Sequence, residues 1–152
     1  MGYTTLAEEL NEIPDLQAIF IPTSSGTTAQ ALGEWFISQN RNVQIHVVQT
    51  EAVHPIAQSF DKDFTPQEKS EASAIVDSIA HRKEKIISLV KRSLGSGWII
   101  SDNEIRKAIS DVKEKTGISL SPNSALAVAG LAKALRQGWQ WSGAVVCLVT
   151  GQ

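Results

Sequence analysis

A hydroxyl-rich loop is the part of this 152-residue chain best suited to chemistry. It reads "PTSSGTT" from Pro22 to Thr28, between an apolar run and a helical pattern. Backbone N–H groups at the helix N-terminus, together with the loop hydroxyls, could bind a phosphate without any charged side chain. Gly26 would allow a close backbone approach or a positive φ angle. The alternative is a turn that only caps the helix.

Three familiar loop motifs are absent from this stretch. No lysine follows the glycine, so the loop is not a Walker phosphate-binding loop. The G-x-G-x-x-G pattern of dinucleotide-binding proteins is missing, and the G-x-S-x-G pattern of hydrolase nucleophiles does not match either.

The other reactive side chains are weaker candidates. His46 falls in a predicted strand, and His54 and His81 fall at loop or helix-edge positions. With one cysteine and neither H-x-x-x-H nor C-x-x-C, the sequence does not predict a metal site. Cys147, in an apolar strand, is predicted to be a core residue rather than a nucleophile. Spacing alone predicts Asp77 to be a solvated helix residue.

Composition limits the class of protein. Hydrophobic residues make up 42% and charged residues 20%, as in an ordinary single-domain globular protein. The net charge of −2 gives no reason to expect a nucleic acid or an anionic membrane as partner. A single cysteine excludes an internal disulfide and favours a reducing compartment. Without a signal peptide or a membrane-length apolar run, the expected location is the cytoplasm.

The elements that must position the loop alternate between strands and helices. Strands that are apolar throughout predict an α/β domain with a mostly parallel sheet, in which ligands lie at the carboxyl ends of the strands. The opening loop falls at such an end. The predicted strands are residues 18–21, 43–50, 98–101 and 144–151, and the predicted helices are residues 4–13, 27–39, 86–93, 101–117 and 121–138.

Seven segments, in order along nearly all of the chain, resemble the fold type II pyridoxal-phosphate enzymes, and among them threonine synthase most closely. "IFIPTSSGTT" is similar to the family loop V-P-x-G-x-G-G-T, which binds the cofactor phosphate. "SEASAIVDSI" resembles x-T-I-A-D-G-I, and "VVCLVTG" resembles the terminal V-V-x-L-T-G. The other four segments are "GYTTLAEEL", "VQIHVVQTEAVHPIAQSF", "IISDNEIRKA" and "LSPNSALAVAGL".

The resemblance implies a three-layer domain, the large-domain half of the tryptophan synthase β-like fold, and pyridoxal 5'-phosphate as cofactor. For an enzyme like threonine synthase it implies γ-phosphate elimination from O-phosphohomoserine and addition of water at the β carbon. It places Thr150 near the pyridine nitrogen. The residues that it places at the cofactor phosphate are Ser24, Ser25, Gly26, Thr27 and Thr28.

Alternative functions stay open at this point. The chain could belong to a serine/threonine dehydratase or a cysteine synthase, which share the superfamily. It could also be a non-catalytic, half-length module that binds a phosphorylated ligand or a partner chain. An exposed half-domain face would favour self-association, and a homodimer is the simplest such assembly.

Several positions depart from the family pattern. Family glycines fall at Ser24 and Thr27, and Ser121 stands where many relatives carry a glutamate. Ser78 replaces the glycine that follows the family aspartate. The same match changes the interpretation of residues 75–80, which are then expected to be extended or turn-like, with a helix beginning near Arg82.

The largest departure concerns lysine. Enzymes of this superfamily attach the cofactor to a lysine in a motif like S-x-K-x-R, and no lysine of this chain lies in such a motif. The expectation is therefore a single-domain fragment, the C-terminal large-domain portion of a longer enzyme, beginning at an introduced methionine. It would contain no catalytic residue and would be inactive alone.

Overall fold

The computed structural model describes residues 2–79 and 81–149. Strands and helices alternate as the sequence predicts. The elements are α1 (Gly2–Asn11), β1 (Leu16–Pro22), α2 (Thr27–Ser38), β2 (Gln44–Thr50), α3 (Lys83–Arg92), β3 (Gly97–Ile100), α4 (Asp102–Thr116), α5 (Pro122–Arg136) and β4 (Ala144–Cys147), with a 3₁₀ turn at Ala57–Ser59.

The four strands form one parallel sheet in the order β3-β2-β1-β4. From β1 the chain passes to β2 and then β3 on one side, whereas β4 pairs with the other side of β1. The strand order therefore reverses between β1 and β4. In open parallel sheets a crevice forms at this point, beyond the carboxyl ends of the two strands.

Alternating side chains of the strands build one core on each face of the sheet. Ile19 and Ile21 of β1 face α1, α2 and α3, where they pack with Leu32 and Ile86. Phe20 faces the opposite side, in the core formed with α4 and α5. The result is the predicted three-layer α/β domain, with a fully parallel sheet between two layers of helices.

The caps of α4 and α5 follow from the sequence. Ser101 and Glu104 form a reciprocal capping box at the start of α4, and Gly117 ends that helix with φ 76°. At the start of α5, the Ser121 side chain accepts a hydrogen bond from the backbone N–H of Ser124. Pro122 occupies the first turn, where its missing N–H is not needed.

Two predicted elements need correction. The last strand was expected to be buried over residues 144–151, of which residues 150 and 151 lie outside the described residues; β4 covers Ala144–Cys147, and all four of its residues are partly exposed. β4 is an edge strand, but its edge position does not by itself explain the exposure, because β3 at the other edge of the sheet is fully buried. Residues 75–79 are irregular, as the family resemblance predicted and the helical spacing did not. Among the described residues, no helix has the length and apolar character needed to span a membrane.

Candidate functional site

The hydroxyl-rich loop lies at the carboxyl end of β1, next to the point where the strand order reverses. Its base is fixed to the sheet, because the backbone N–H of Thr23 donates to the Val48 carbonyl at 2.9 Å. The Thr23 carbonyl accepts from the Gln49 side chain at 3.0 Å. The Thr23 hydroxyl turns inward and donates to the Ile21 carbonyl at 2.8 Å. Thr23 therefore anchors the loop instead of presenting a hydroxyl to a ligand.

Gly26 is the N-cap of α2 and adopts φ 91°, in the left-handed region that side chains disfavour. The predicted positive φ is confirmed. A Cβ atom built at this position would also lie 2.0 Å from Ile86 Cδ1. The loop thus needs glycine here for its backbone conformation and for its packing on α3.

Several backbone N–H groups in the loop have no hydrogen-bond acceptor among the described residues. Within the described parts of the chain, the N–H groups of Ser25, Gly26, Thr28 and Ala29 make no hydrogen bond. Thr27 N–H has only a long contact, 3.4 Å, to the Ser25 hydroxyl. Gly26 offers no side-chain cap, so the first turn of α2 keeps its orphan donors and the positive end of its dipole. These groups fit a phosphate dianion, which would satisfy them.

The side-chain hydroxyls of the loop differ in their availability. Ser24 is bound to Asp77, as Ser24 Oγ donates to the carboxylate at 3.1 Å. The hydroxyls of Ser25 and Thr27 lie 2.9 Å apart and bond to each other. The Thr28 hydroxyl has no partner among residues 2–79 and 81–149. Thr28 and the Ser25–Thr27 pair are therefore the hydroxyls that could reach a ligand.

A cleft of about 270 Å³ opens over the loop. Residues 22–29 form one wall, Ala74 and Ile75 face them, and Tyr3 and Asn123 complete the lining. Neither an acidic side chain nor a lysine lines this cleft within the described residues. An anion would meet backbone donors, hydroxyls and an amide, while the Asp77 carboxylate lies outside the lining and accepts a hydrogen bond from the Ser24 hydroxyl at 3.1 Å.

The structure gathers the five predicted loop residues, Ser24 to Thr28, at this one cleft. Thr150, predicted to lie near the pyridine nitrogen, is outside the described residues. The strand that precedes it does have the predicted direction, since β4 runs parallel to β1 and directly beside it. The carboxyl ends of the two strands therefore meet the same edge of the sheet.

Sequence reasoning missed the far wall of the cleft. Asp77 reaches Ser24, which is 53 positions away along the chain, and local spacing holds no information about such a contact. Asn123 Oδ1 accepts the backbone N–H of Ala74 at 2.9 Å. Only the resemblance of "SEASAIVDSI" to a family segment could have drawn attention to this region.

His46 is a structural histidine. Its ring is fully buried and stacks on Phe20 with 4.3 Å between ring centroids. Trp98 Nε1 donates to His46 Nδ1 at 3.0 Å, so the other ring nitrogen carries the proton and donates to Gln44. Burial lowers the pKa of His46 to about 3, which keeps the imidazole neutral at physiological pH.

Cys147 is likewise unsuited to nucleophilic chemistry. Burial raises the pKa of its thiol to about 12, and the thiolate is the reactive form. Its sulfur lies 3.7 Å from the Ala127 carbonyl oxygen, and the half-buried side chain packs against the core beside α5. No group of three potential metal ligands is found among the described residues. The loop cleft is thus the strongest candidate site.

Comparisons with known proteins identify the family of the chain. The family described as "Pyridoxal-phosphate dependent enzyme" matches residues 1–151. The catabolic L-threonine dehydratase TdcB of Staphylococcus aureus strain N315 is 28% identical over 147 residues, which cover 95% of this chain and 42% of the relative. The chain therefore spans about two fifths of the length of that curated relative.

Solved structures share the fold. Threonine deaminase isoform 2 from Solanum lycopersicum superposes with a TM-score of 0.75 at 19% identity, over 99% of this chain and 44% of that protein. A pyridoxal-phosphate-bound threonine synthase from Brucella melitensis gives a TM-score of 0.70 at 15% identity, over 99% of this chain and 39% of that protein. At these identities the likeness establishes architecture only.

Proposed function

Because this chain belongs to the pyridoxal-phosphate dependent enzyme family, we propose that it binds the phosphate of pyridoxal 5'-phosphate at the loop from Ser24 to Thr28. The observation that carries the proposal is a set of backbone N–H groups around Gly26 that have no acceptor among residues 2–79 and 81–149, at the N-terminus of α2 and at the strand-order reversal. Thr150 is proposed to lie near the pyridine nitrogen, where a neutral hydroxyl would leave that nitrogen unprotonated.

In this proposal the chain binds and orients the cofactor. When bound, pyridoxal phosphate supplies an electron sink for carbanions formed on an amino-acid substrate. The α2 dipole and the backbone donors of Ser25 to Ala29 hold the phosphate, and the positive φ of Gly26 keeps those donors free. The fixed base of the loop at Thr23 prevents the phosphate site from shifting relative to the sheet.

The reaction proposed for the whole enzyme is the dehydration of a small hydroxy amino acid such as serine or threonine. The name of the curated dehydratase relative, aligned over 95% of this chain, supports this choice. A second candidate is a threonine synthase-like conversion of O-phosphohomoserine into threonine and phosphate, which the seven resembling segments support. Cysteine synthase remains a more distant alternative.

We propose that the chain acts as one part of a longer enzyme, because its 152 residues contain no cofactor-binding lysine motif. By itself it is then inactive, and a homodimer and a cytoplasmic location stay predictions. An activity assay on a polypeptide that carries both this chain and such a motif would distinguish the two candidate reactions. A dehydratase forms a 2-oxo acid and ammonia from threonine, whereas a synthase releases phosphate from O-phosphohomoserine.

Titration of the ¹⁵N-labelled chain with inorganic phosphate, and then with pyridoxal phosphate, tests the site directly. The amide resonances of residues 25–29 should shift with both ligands. Gly26→Ala should abolish these shifts. Gly117→Ala is the matched control, because Gly117 also has a positive φ but lies at the end of α4 with nothing within 4 Å of its Cβ position. Shifts confined to other regions would refute the proposed site.

A further inference from the structure

The far wall of the cleft is a segment with little backbone support of its own. This wall segment, residues 70–77, has one backbone–backbone hydrogen bond among the described residues, from Ile75 N–H to the Ala72 carbonyl at 3.4 Å. Both of these side chains are buried in the core beside α4 and α5. Apart from a local bond from the Ala72 N–H to the Ser70 hydroxyl at 3.1 Å, the other hydrogen bonds to the backbone of the wall segment come from side chains elsewhere in the fold.

Among the described residues, three side chains from elsewhere in the fold accept backbone N–H groups of the wall segment. Asp102 Oδ1 accepts from the Ser70 hydroxyl at 3.0 Å and from a neighbouring backbone N–H at 2.9 Å. Asn123 holds the middle through the Ala74 N–H at 2.9 Å. Ser24, which belongs to the phosphate loop itself, holds the end. Its Oγ accepts the backbone N–H groups of residues 76 and 77 at 3.1 and 3.2 Å.

These contacts occupy every hydrogen-bonding position of the Ser24 hydroxyl. A serine hydroxyl has one donor and two acceptor positions. Ser24 donates to Asp77 Oδ2 at 3.1 Å and accepts two backbone N–H groups. A phosphate oxygen could gain the Ser24 proton only if the bond to Asp77 were broken.

We infer that Ser24 is a positioning residue, whose hydroxyl ties the wall segment to the phosphate loop instead of contacting the phosphate. Because Ala74 and Ile75 face the loop across the cleft, this tie fixes the cleft width at the point where Ser25 to Thr28 present their donors. The role of Ser24 in phosphate binding rests on the proposed function. The link between Ser24 and the wall segment is supported by the hydrogen bonds of Ser24 independently of that function.

Hydrogen exchange of the ¹⁵N-labelled chain tests the tie. In Ser24→Ala the backbone amides of Val76 and Asp77 should exchange about tenfold faster than in the unmodified chain, because their acceptor is lost. Ser24→Thr keeps the hydroxyl and should restore slow exchange. Ser78→Ala removes an exposed neighbouring hydroxyl and should leave both amides unchanged. Unchanged exchange in Ser24→Ala would overturn the inference.

Phosphate titration of the same variants separates positioning from direct contact. Ser24→Ala should raise the Kd for inorganic phosphate about threefold to tenfold, and Ser24→Thr should restore it. Weaker phosphate binding with unchanged exchange at residues 76 and 77 would identify Ser24 as a direct ligand and overturn the inference. Faster exchange with unchanged phosphate affinity would also overturn the positioning role.

The two proposals can fail separately. If the unmodified chain binds neither phosphate nor pyridoxal phosphate, the proposed function fails, and the exchange experiment still decides whether Ser24 holds the wall segment. If Ser24→Ala does not fold, Ser24→Cys gives a second route, since a thiol fills nearly the same space but is a weak acceptor of N–H groups. Faster exchange of the Val76 amide in that variant supports the tie, and unchanged exchange contradicts it.

Discussion

Gly26 in the hydroxyl-rich loop packs against Ile86 of α3, such that a Cβ added to Gly26 would lie 2.0 Å from Ile86 Cδ1. The same glycine has φ 91°. Two separate costs therefore oppose any side chain at this position, a backbone cost and a packing cost. Because Ile86 Cδ1 is the end of a flexible side chain, the second cost can be relieved without changing the loop.

A double-mutant cycle on this pair should separate the two costs. Gly26→Ala should lower the free energy of unfolding by about 1–3 kcal/mol from the positive φ alone, with a further loss from the contact. Ile86→Val removes the Cδ1 methyl and should cost about 1 kcal/mol. Gly26→Ala should then cost at least about 0.5 kcal/mol less in the Ile86→Val background, measured by denaturant unfolding.

Gly117→Ala is the control for the backbone cost, because no atom lies within 4 Å of its Cβ position and its φ is 76°. It should show no coupling with Ile86→Val. Additive costs for Gly26→Ala and Ile86→Val would mean that the contact carries no energy. Gly26→Val, with its larger side chain, would disturb folding and phosphate binding together, so alanine is the more informative substitution.

The sequence predicts the fold well because the patterns that mark strands and helix ends lie within short stretches of the chain. Apolar runs mark the four parallel strands, and the Ser101–Glu104 capping box and Pro122 set the starts of α4 and α5. The possibility of a positive φ at Gly26 also follows from the loop alone, whereas its packing against Ile86 does not. In contrast, the edge position of β4 depends on which strands pair, and no local pattern records that. The bonds of Ser24 to residues 76 and 77 join distant segments and are invisible in the sequence for the same reason.

Lys133 and Asp61 form a buried ion pair that should be important for stability. The ammonium lies 2.8 Å from the carboxylate, and both side chains are at most 5% exposed. Lys133 also donates to two backbone carbonyls at 2.6 and 2.8 Å. Lys133→Met should lower the free energy of unfolding by about 3–5 kcal/mol, because it leaves a buried carboxylate without its cation. Urea denaturation measures this loss.

The pair formed by Lys107 and Asp111 on the surface of α4 provides the matched control. Its side chains are 71% and 42% exposed. Lys107→Met should change the free energy of unfolding by less than about 0.5 kcal/mol, because water screens exposed charges. Similar losses in the two variants would contradict a special role for the buried pair.

The isolated chain should bind pyridoxal phosphate without covalent attachment to a lysine. No lysine among the described residues lines the loop cleft, and no cofactor-binding lysine motif occurs in the sequence. After incubation with the cofactor and borohydride reduction, peptide mass spectrometry should find only scattered, substoichiometric labelling. Free lysine-containing peptides of the same composition give the background level. Stoichiometric labelling of one lysine would contradict the prediction.

His46 should make the fold less stable as the pH falls. Its pKa is about 3 in the folded chain and about 6.5 when unfolded, so below pH 6.5 the unfolded chain binds the extra proton. The free energy of unfolding should therefore decrease by about 3 kcal/mol from this residue between pH 7 and pH 4. His46→Gln should be less stable at pH 7, since it loses the stacking on Phe20, but should lack this part of the pH dependence. Urea denaturation of both proteins between pH 7 and pH 4 gives the free energy of unfolding as a function of pH. Equal slopes of that free energy against pH in the two proteins would show that His46 does not titrate as its burial requires.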